Sequence, residues 1–134
     1  MGDTLTALAG FAAWYVVLTI VMGLFRMGRI VGGKAVNSFA VSGSDLPGLG
    51  ERLTRARDNC YETLPIFAAL ALVAYASNRL AVTDPLAMWV LYARIGQSLC
   101  HLASLSVPVV LLRANLFFAQ VLIYLYWSYQ LLSA

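Results

Sequence analysis

The chain has 134 residues, of which 61% are hydrophobic and 11% charged, and its formal net charge is +3. In soluble domains about a quarter of the residues are charged, so this composition indicates an integral membrane protein. Long continuous apolar segments favour membrane α-helices over a β-barrel, whose strands alternate in short segments. The arginines form no basic stripe or tail, which argues against nucleic-acid binding. The length suits one domain, so we expect residues 1–134 to form a single four-helix membrane domain.

Four apolar segments predict four membrane helices, at residues 4–31, 49–78, 85–105 and 107–132. The polar stretch between the first two segments, residues 32–50, is rich in Gly and Ser and predicts the longest loop. Asp84 followed by Pro85 predicts the start of the third helix, because Pro is favoured at the first helical position. The connection before Pro108 is very short, so the third and fourth helices are expected to be antiparallel neighbours.

The positive charges predict how the helices are oriented in the membrane. The long loop and the turns that flank it hold six basic residues, whereas the opposite side holds only Arg79. The six are Arg26, Arg29, Lys34, Arg52, Arg55 and Arg57. The positive-inside rule then places this loop in the cytoplasm and both termini on the non-cytoplasmic side.

The second segment opens with an unusually polar stretch, residues 51–67, ERLTRARDNCYETLPIF. Helical spacings of three and four place five of its residues on one face: Arg52, Arg55, Asn59, Glu62 and Ile66. Ionisable residues in membrane helices nearly always face a bundle interior or a wet cavity, so this face is a candidate binding surface. The alternative is a set of helix-end charges that snorkel to the lipid headgroups. Glu62 argues against it, because its short side chain starts more than a turn inside the helix.

The third and fourth segments each carry a stripe at the same helical spacing. The third has Arg94, Gln97, Ser98, His101 and Ser104, and the fourth has Arg113, Phe117, Gln120, Tyr124 and Trp127. Three such stripes are too many for lipid contact, so we expect them to converge on an interior or an intersubunit cleft. Arginines there suit a ligand with carboxylates. Glu62 suits an amino group or neutralises an arginine, and the expected partner is Arg94.

The cysteines and the histidine give no sign of a disulfide or a metal site. Cys60 and Cys100 lie within apolar helices and are expected to be buried free thiols. His101 is the only histidine, and no second metal-binding side chain lies at a ligand spacing from it.

The polar stretch resembles a motif of the MAPEG superfamily, the membrane-associated proteins in eicosanoid and glutathione metabolism. The pattern Arg-x-x-Arg-Ala-x-x-Asn-x-x-Glu stands here as Arg52, Arg55, Ala56, Asn59 and Glu62. The resemblance implies an all-α integral membrane protein, a trimer of four-helix subunits, that binds glutathione as co-substrate between subunits near the cytoplasmic side. The implied glutathione-binding residues are Arg29, Arg52, Arg55, Asn59, Glu62 and Arg94. A bacterial-type member would lie in the inner membrane.

Three positions depart from the prostaglandin synthase branch of that superfamily. Asp58 stands where the branch has another arginine, and His101 stands where it has a tyrosine. Val110 stands where the branch carries an arginine thought to stabilise the glutathione thiolate. Arg113, one helical turn further on, and His101 are therefore the remaining candidates for a catalytic role.

Three functions follow as hypotheses. The first is a membrane glutathione transferase or peroxidase that acts on lipophilic electrophiles, with lipid and a second copy of the chain as partners. The second is a non-catalytic oligomeric membrane protein of the same fold, which the three departures favour. The third is a small multidrug exporter. It is disfavoured because such exporters carry a glutamate in their first helix, whereas this chain has no acid there after Asp3.

Overall fold

The computed structural model describes residues 2–35, 48–103 and 106–133. These residues form four α-helices and no strand, so the predicted all-α four-helix class is confirmed. The helices are α1 (Asp3–Val31), α2 (Leu49–Ala76), α3 (Leu80–Ala103) and α4 (Val107–Leu132). Their bounds agree with the predicted segments to within two residues, except at the start of α3. Residues 36–47 of the predicted loop, and Ser104 of the third stripe, lie outside the described residues.

The predicted start of α3 at Pro85 is wrong, because the helix begins five residues earlier, at Leu80. Asp84 instead caps a different helix. Its Oδ1 accepts a hydrogen bond from the backbone N–H of Thr4 at 3.0 Å and a second from the Thr4 hydroxyl. The first N–H groups of a helix have no partner within it, so this carboxylate satisfies the start of α1 from outside.

The packing order of the helices places α2 and α3 in the middle of the bundle. Each of them contacts all three other helices, whereas α1 and α4 do not contact each other within the part of the chain that is described. An aromatic cluster joins α1, α2 and α4: the rings of Phe11 and Phe67 lie 5.6 Å apart and those of Phe67 and Trp127 lie 5.7 Å apart. This cluster is part of the hydrophobic core.

The outer faces of the helices are apolar, as a bilayer requires. Helices α1, α2 and α4 are long and apolar enough to cross a membrane. Large side chains such as Leu24, Trp89 and Leu125 are about two-thirds exposed on a single chain. Helix α3 buries a row of polar side chains against its neighbours: Arg94, Gln97, Ser98 and His101.

The two ends of the bundle differ in character. At the end where α4 finishes, the guanidinium of Arg79 donates to the carbonyl oxygens of Leu131 at 3.0 Å and Gln130 at 2.8 Å. These carbonyls belong to the last turn of α4, which has no helical partners for them. The opposite end, between the α1–α2 and α3–α4 connections, carries most of the other charged residues, and the candidate site lies there.

Candidate functional site

The site is built on a buried cation. Arg94 of α3 is fully buried, and its Nη1 donates to Oδ1 of Asn59 at 2.6 Å while its Nη2 donates to Oγ1 of Thr63 at 2.7 Å. Its guanidinium carbon also lies 5.5 Å from the centre of the Phe11 ring, within cation–π range. Two short charge-assisted hydrogen bonds and one aromatic face therefore compensate for part of the lost hydration, while Nε of Arg94 is buried without a hydrogen-bond partner among the described residues.

The predicted ion pair between Glu62 and Arg94 is wrong. Among the described residues no carboxylate lies within 4.0 Å of the Arg94 guanidinium. Asn59 and Thr63 are four residues apart on α2, so one helical turn presents their two oxygens to the two ends of the guanidinium. Glu62 is exposed on the single chain and forms no ion pair with Arg94.

Hydrogen bonds extend from Asn59 through α3 to α4. Gln97 donates to the same Oδ1 of Asn59 at 2.9 Å, and Gln120 donates to Oε1 of Gln97 at 2.9 Å. Gln120 is fully buried and Gln97 nearly so. The predicted convergence of the three stripes is thus observed, although Thr63 was not foreseen as a member. The sequence feature that could have identified Thr63 is its position one helical turn after Asn59 on α2.

This arrangement fixes which way the Asn59 amide faces. Both groups that contact its Oδ1 are donors, because a guanidinium has no acceptor and Gln97 uses its amide nitrogen. The amide NH2 of Asn59 therefore faces away from them. Since Asn59 also lines the cleft described next, it offers that cleft a donor.

A cleft of about 400 Å³ lies beside this buried group, between the first half of α2, the end of α3 and the start of α4. Its lining carries both signs of charge and two neutral polar side chains. The lining residues are Glu51, Arg55, Asp58, Asn59, Glu62, His101 and Arg113. A volume of this size is within the usual range for small-molecule sites.

Pairing within the cleft leaves one carboxylate without a cation. Arg55 contacts Glu51 at 2.7 Å, and Arg57 contacts Asp58 at 3.2 Å. Glu62 forms no ion pair with any residue that the structure describes. The cleft therefore presents a free carboxylate to a ligand.

The second arginine of the cleft, Arg113 of α4, contacts His101 of α3. Nη1 of Arg113 lies 3.2 Å from Nδ1 of His101, and the other ring nitrogen of His101, Nε2, is buried without a hydrogen-bond partner in the described residues. Val110 lies on α4 one turn before Arg113 and is half-buried.

The structure brings five of the eight predicted site residues to the cleft: Arg55, Asn59, Glu62, His101 and Arg113. Arg94 lies beneath it, in contact with Asn59. Arg52 is used elsewhere, since its Nε donates to the carbonyl oxygen of Leu102 at 3.0 Å, near the end of α3. Arg29 lines a separate cavity of about 320 Å³ with Gly28, Gly32 and Lys34.

Two lining residues, Glu51 and Asp58, were not among the predicted ligands. Glu51 could have been found from its spacing, because a glutamate four residues before an arginine commonly pairs with it on a helix. Asp58 appeared only as a departure from the motif.

Both cysteines are free, and Cys60 is buried as predicted; the predicted burial of Cys100 is wrong, because its side chain is half-buried. Within the described ranges no group of three or more His, Cys, Asp or Glu side chains is placed to hold a metal ion.

The fold and the site define a class: an integral membrane bundle of four helices with a small polar cleft at one end. A family model, the MAPEG family, matches residues 4–133, which is nearly the whole chain. The chain therefore belongs to the MAPEG family, and its function is glutathione-related at the level of that family. Searches of curated proteins and of solved structures gave no match to this chain.

Proposed function

We propose that this protein binds glutathione in the cleft as co-substrate and acts on lipophilic electrophiles, as a membrane glutathione transferase or peroxidase. The observation that carries the proposal is the combination, in one cleft, of a free carboxylate with an arginine and oriented hydrogen-bond donors. Membership of the MAPEG family supports glutathione over other small anions.

The chemistry of glutathione matches the lining. The tripeptide carries two carboxylates and one ammonium group. Glu62 suits the ammonium, and Arg113 with the Asn59 amide suits a carboxylate or the thiolate. In the transfer step the thiolate sulfur attacks an electrophilic carbon and the leaving group departs, while the thiol proton goes to water.

A homotrimer would complete the site. Glu62 and Arg55 are exposed on the single chain, and charged side chains on a membrane helix rarely face lipid. We therefore place this face of α2 against a second copy. Arg29 and Arg52, which lie outside the cleft of their own chain, would then be close to the boundary. The site would open to the cytoplasm, with both termini on the non-cytoplasmic side of a bacterial inner membrane.

Isothermal titration of the purified protein in mild detergent with glutathione tests the binding. We expect saturable binding, and we expect Glu62→Gln to weaken it about tenfold, the loss of one charge-assisted hydrogen bond. Asp3→Asn is the control, because it makes the same carboxylate-to-amide change at an exposed residue in the first turn of α1, outside the cleft. No binding by the wild type, or equal weakening by both variants, would refute the assignment.

An absorbance assay of glutathione conjugation to an aryl halide distinguishes the transferase from the non-catalytic oligomer. Halide release with conjugate formation supports the transferase. Binding without conjugation of any tested electrophile would favour the non-catalytic oligomer. The mass of the detergent-solubilised protein after crosslinking reports the oligomeric state, and a stable monomer would contradict the trimer.

A further inference from the structure

The contact between His101 and Arg113 determines where the imidazole carries its proton. His101 lies in the last turn of α3, and its Nδ1 is 3.2 Å from Nη1 of Arg113 on α4. A guanidinium in a protein is always protonated and can only donate hydrogen bonds. Nδ1 must therefore be the acceptor, with its lone pair toward Arg113.

The contact also determines the protonation of the other ring nitrogen of His101, Nε2. When Nδ1 accepts, the imidazole is neutral and Nε2 carries the hydrogen. His101 is more than nine-tenths buried, yet this N–H has no acceptor among the described residues. A buried donor without a partner is unfavourable, so such groups usually meet a ligand or a water molecule. His101 is also one of the residues that line the cleft.

We propose that Arg113 is a positioning residue that fixes His101 as a neutral Nε2–H donor, and that this donor contacts an anionic acceptor of the bound ligand. The proposal rests on the proposed function for the identity of that ligand, glutathione. It assigns His101 the role of a hydrogen-bond donor and not of a base. When the thiol ionises, its proton goes to water, and the N–H of His101 and the charge of Arg113 face the anion that remains.

This pair occupies the region where the chain lacks the arginine expected two residues after Pro108. Val110 provides no donor there, and Arg113 lies one turn further along α4. Arg113 reaches the cleft together with His101, so the cation and the neutral donor act as one unit. Removing Arg113 should therefore change the proton position on His101 as well as the local charge.

The sequence offers a direct spectroscopic test, because His101 is its only histidine. Protein labelled with [15N]histidine should show a single imidazole with Nε2 protonated and Nδ1 unprotonated at neutral pH. Arg113→Lys keeps a cationic donor and should retain this tautomer. Arg113→Leu should lose it and give 15N signals averaged between tautomers. An Nδ1–H tautomer or a doubly protonated ring in the wild type would overturn the proposal.

A ligand titration tests the second part of the proposal, the contact between the Nε2–H of His101 and the bound ligand. Saturating glutathione should shift the Nε2–H signal, and Arg113→Leu should weaken glutathione binding about tenfold while Arg113→Lys weakens it less. A shift with glutathione but not with S-methylglutathione assigns the acceptor to the sulfur, and a shift with both assigns it to a carboxylate. Glutathione binding without any shift would overturn the contact. Absence of binding would overturn the proposed function and the contact together, whereas the tautomer is decided by the ligand-free spectrum.

Discussion

Replacement of Asn59 by leucine should destabilise the bundle more than any other single change at the cleft. Oδ1 of Asn59 accepts from the buried guanidinium of Arg94 at 2.6 Å and from Gln97 at 2.9 Å. A hydrogen bond to a charged group contributes about 1.5–3 kcal/mol. A neutral bond between membrane helices contributes about 0.6 kcal/mol. We therefore expect Asn59→Leu to lower the free energy of unfolding by about 2–4 kcal/mol, since Arg94 keeps only Thr63 as a hydrogen-bond partner.

Asn59→Asp is the matched control. The carboxylate keeps an acceptor for both donors and places a negative charge beside Arg94, so stability should be retained. The same variant loses the amide NH2 that faces the cleft, so glutathione binding should weaken even though the fold persists. Glu62→Gln is the second control. An exposed carboxylate without an ion pair should change the free energy of unfolding by less than about 1 kcal/mol.

The assay can use the buried thiol of Cys60 as its reporter. Cys60 has no exposed surface in the folded chain, so a thiol-reactive fluorophore labels it only after unfolding. In a Cys100→Ala background, labelling during a thermal ramp in detergent then gives the midpoint for each variant. The reasoning would be refuted if Asn59→Leu unfolded at the same temperature as the wild type. It would also be refuted if Asn59→Asp lost as much stability as Asn59→Leu. Equal losses for Asn59→Leu and Glu62→Gln would equally refute it.

Two further changes test the packing of the helices, both followed by the same thermal assay. Asp84→Ala removes the acceptor for Thr4 at the start of α1 and should cost about 1 kcal/mol, whereas Asp84→Asn keeps an acceptor and should cost less; equal values would exclude the cap. At Gly10 a Cβ would lie 2.9 Å from Cδ2 of Leu91, the mobile end of a side chain, so Gly10→Ala should be tolerated. Gly10→Leu should instead cost about 1–3 kcal/mol, and a neutral effect would show that α1 and α3 can separate there.

Much of the fold could be predicted from the sequence, because a continuous apolar segment of sufficient length by itself indicates a membrane helix. Helices α1 and α4 begin and end within a residue of the predicted bounds. The start of α3 could not be read correctly, because Asp84 and Pro85 form a strong local helix-start signal. The carboxylate of Asp84 is used by Thr4, which lies eighty residues earlier. Local patterns reveal that a residue can cap a helix, but not which helix it caps.

The site shows the same limit. Helical spacing correctly grouped Arg55, Asn59 and Glu62 on one face, because spacings of three and four are a property of α2 alone. The partner of Arg94 depends on how α3 is rotated against α2, and this rotation is set by packing. A charged pair was the simplest electrostatic expectation, yet Asn59 and Thr63 accept from the two terminal nitrogens of the guanidinium without any acid.

The neutral environment of Arg94 has a consequence for the ligand. If Glu62 were paired with Arg94, the cleft would contain no free carboxylate, because Glu51 and Asp58 are already paired with arginines. By using the oxygens of Asn59 and Thr63, the core holds its cation and leaves Glu62 without an ion pair among the described residues. The same bond turns the Oδ1 of Asn59, a cleft-lining residue, toward Arg94, so its NH2 points away from the guanidinium. One buried arginine thereby holds a neutral amide and leaves an acid without an ion pair on neighbouring turns of α2, and the proposed ligand carries an amino group that could pair with that acid.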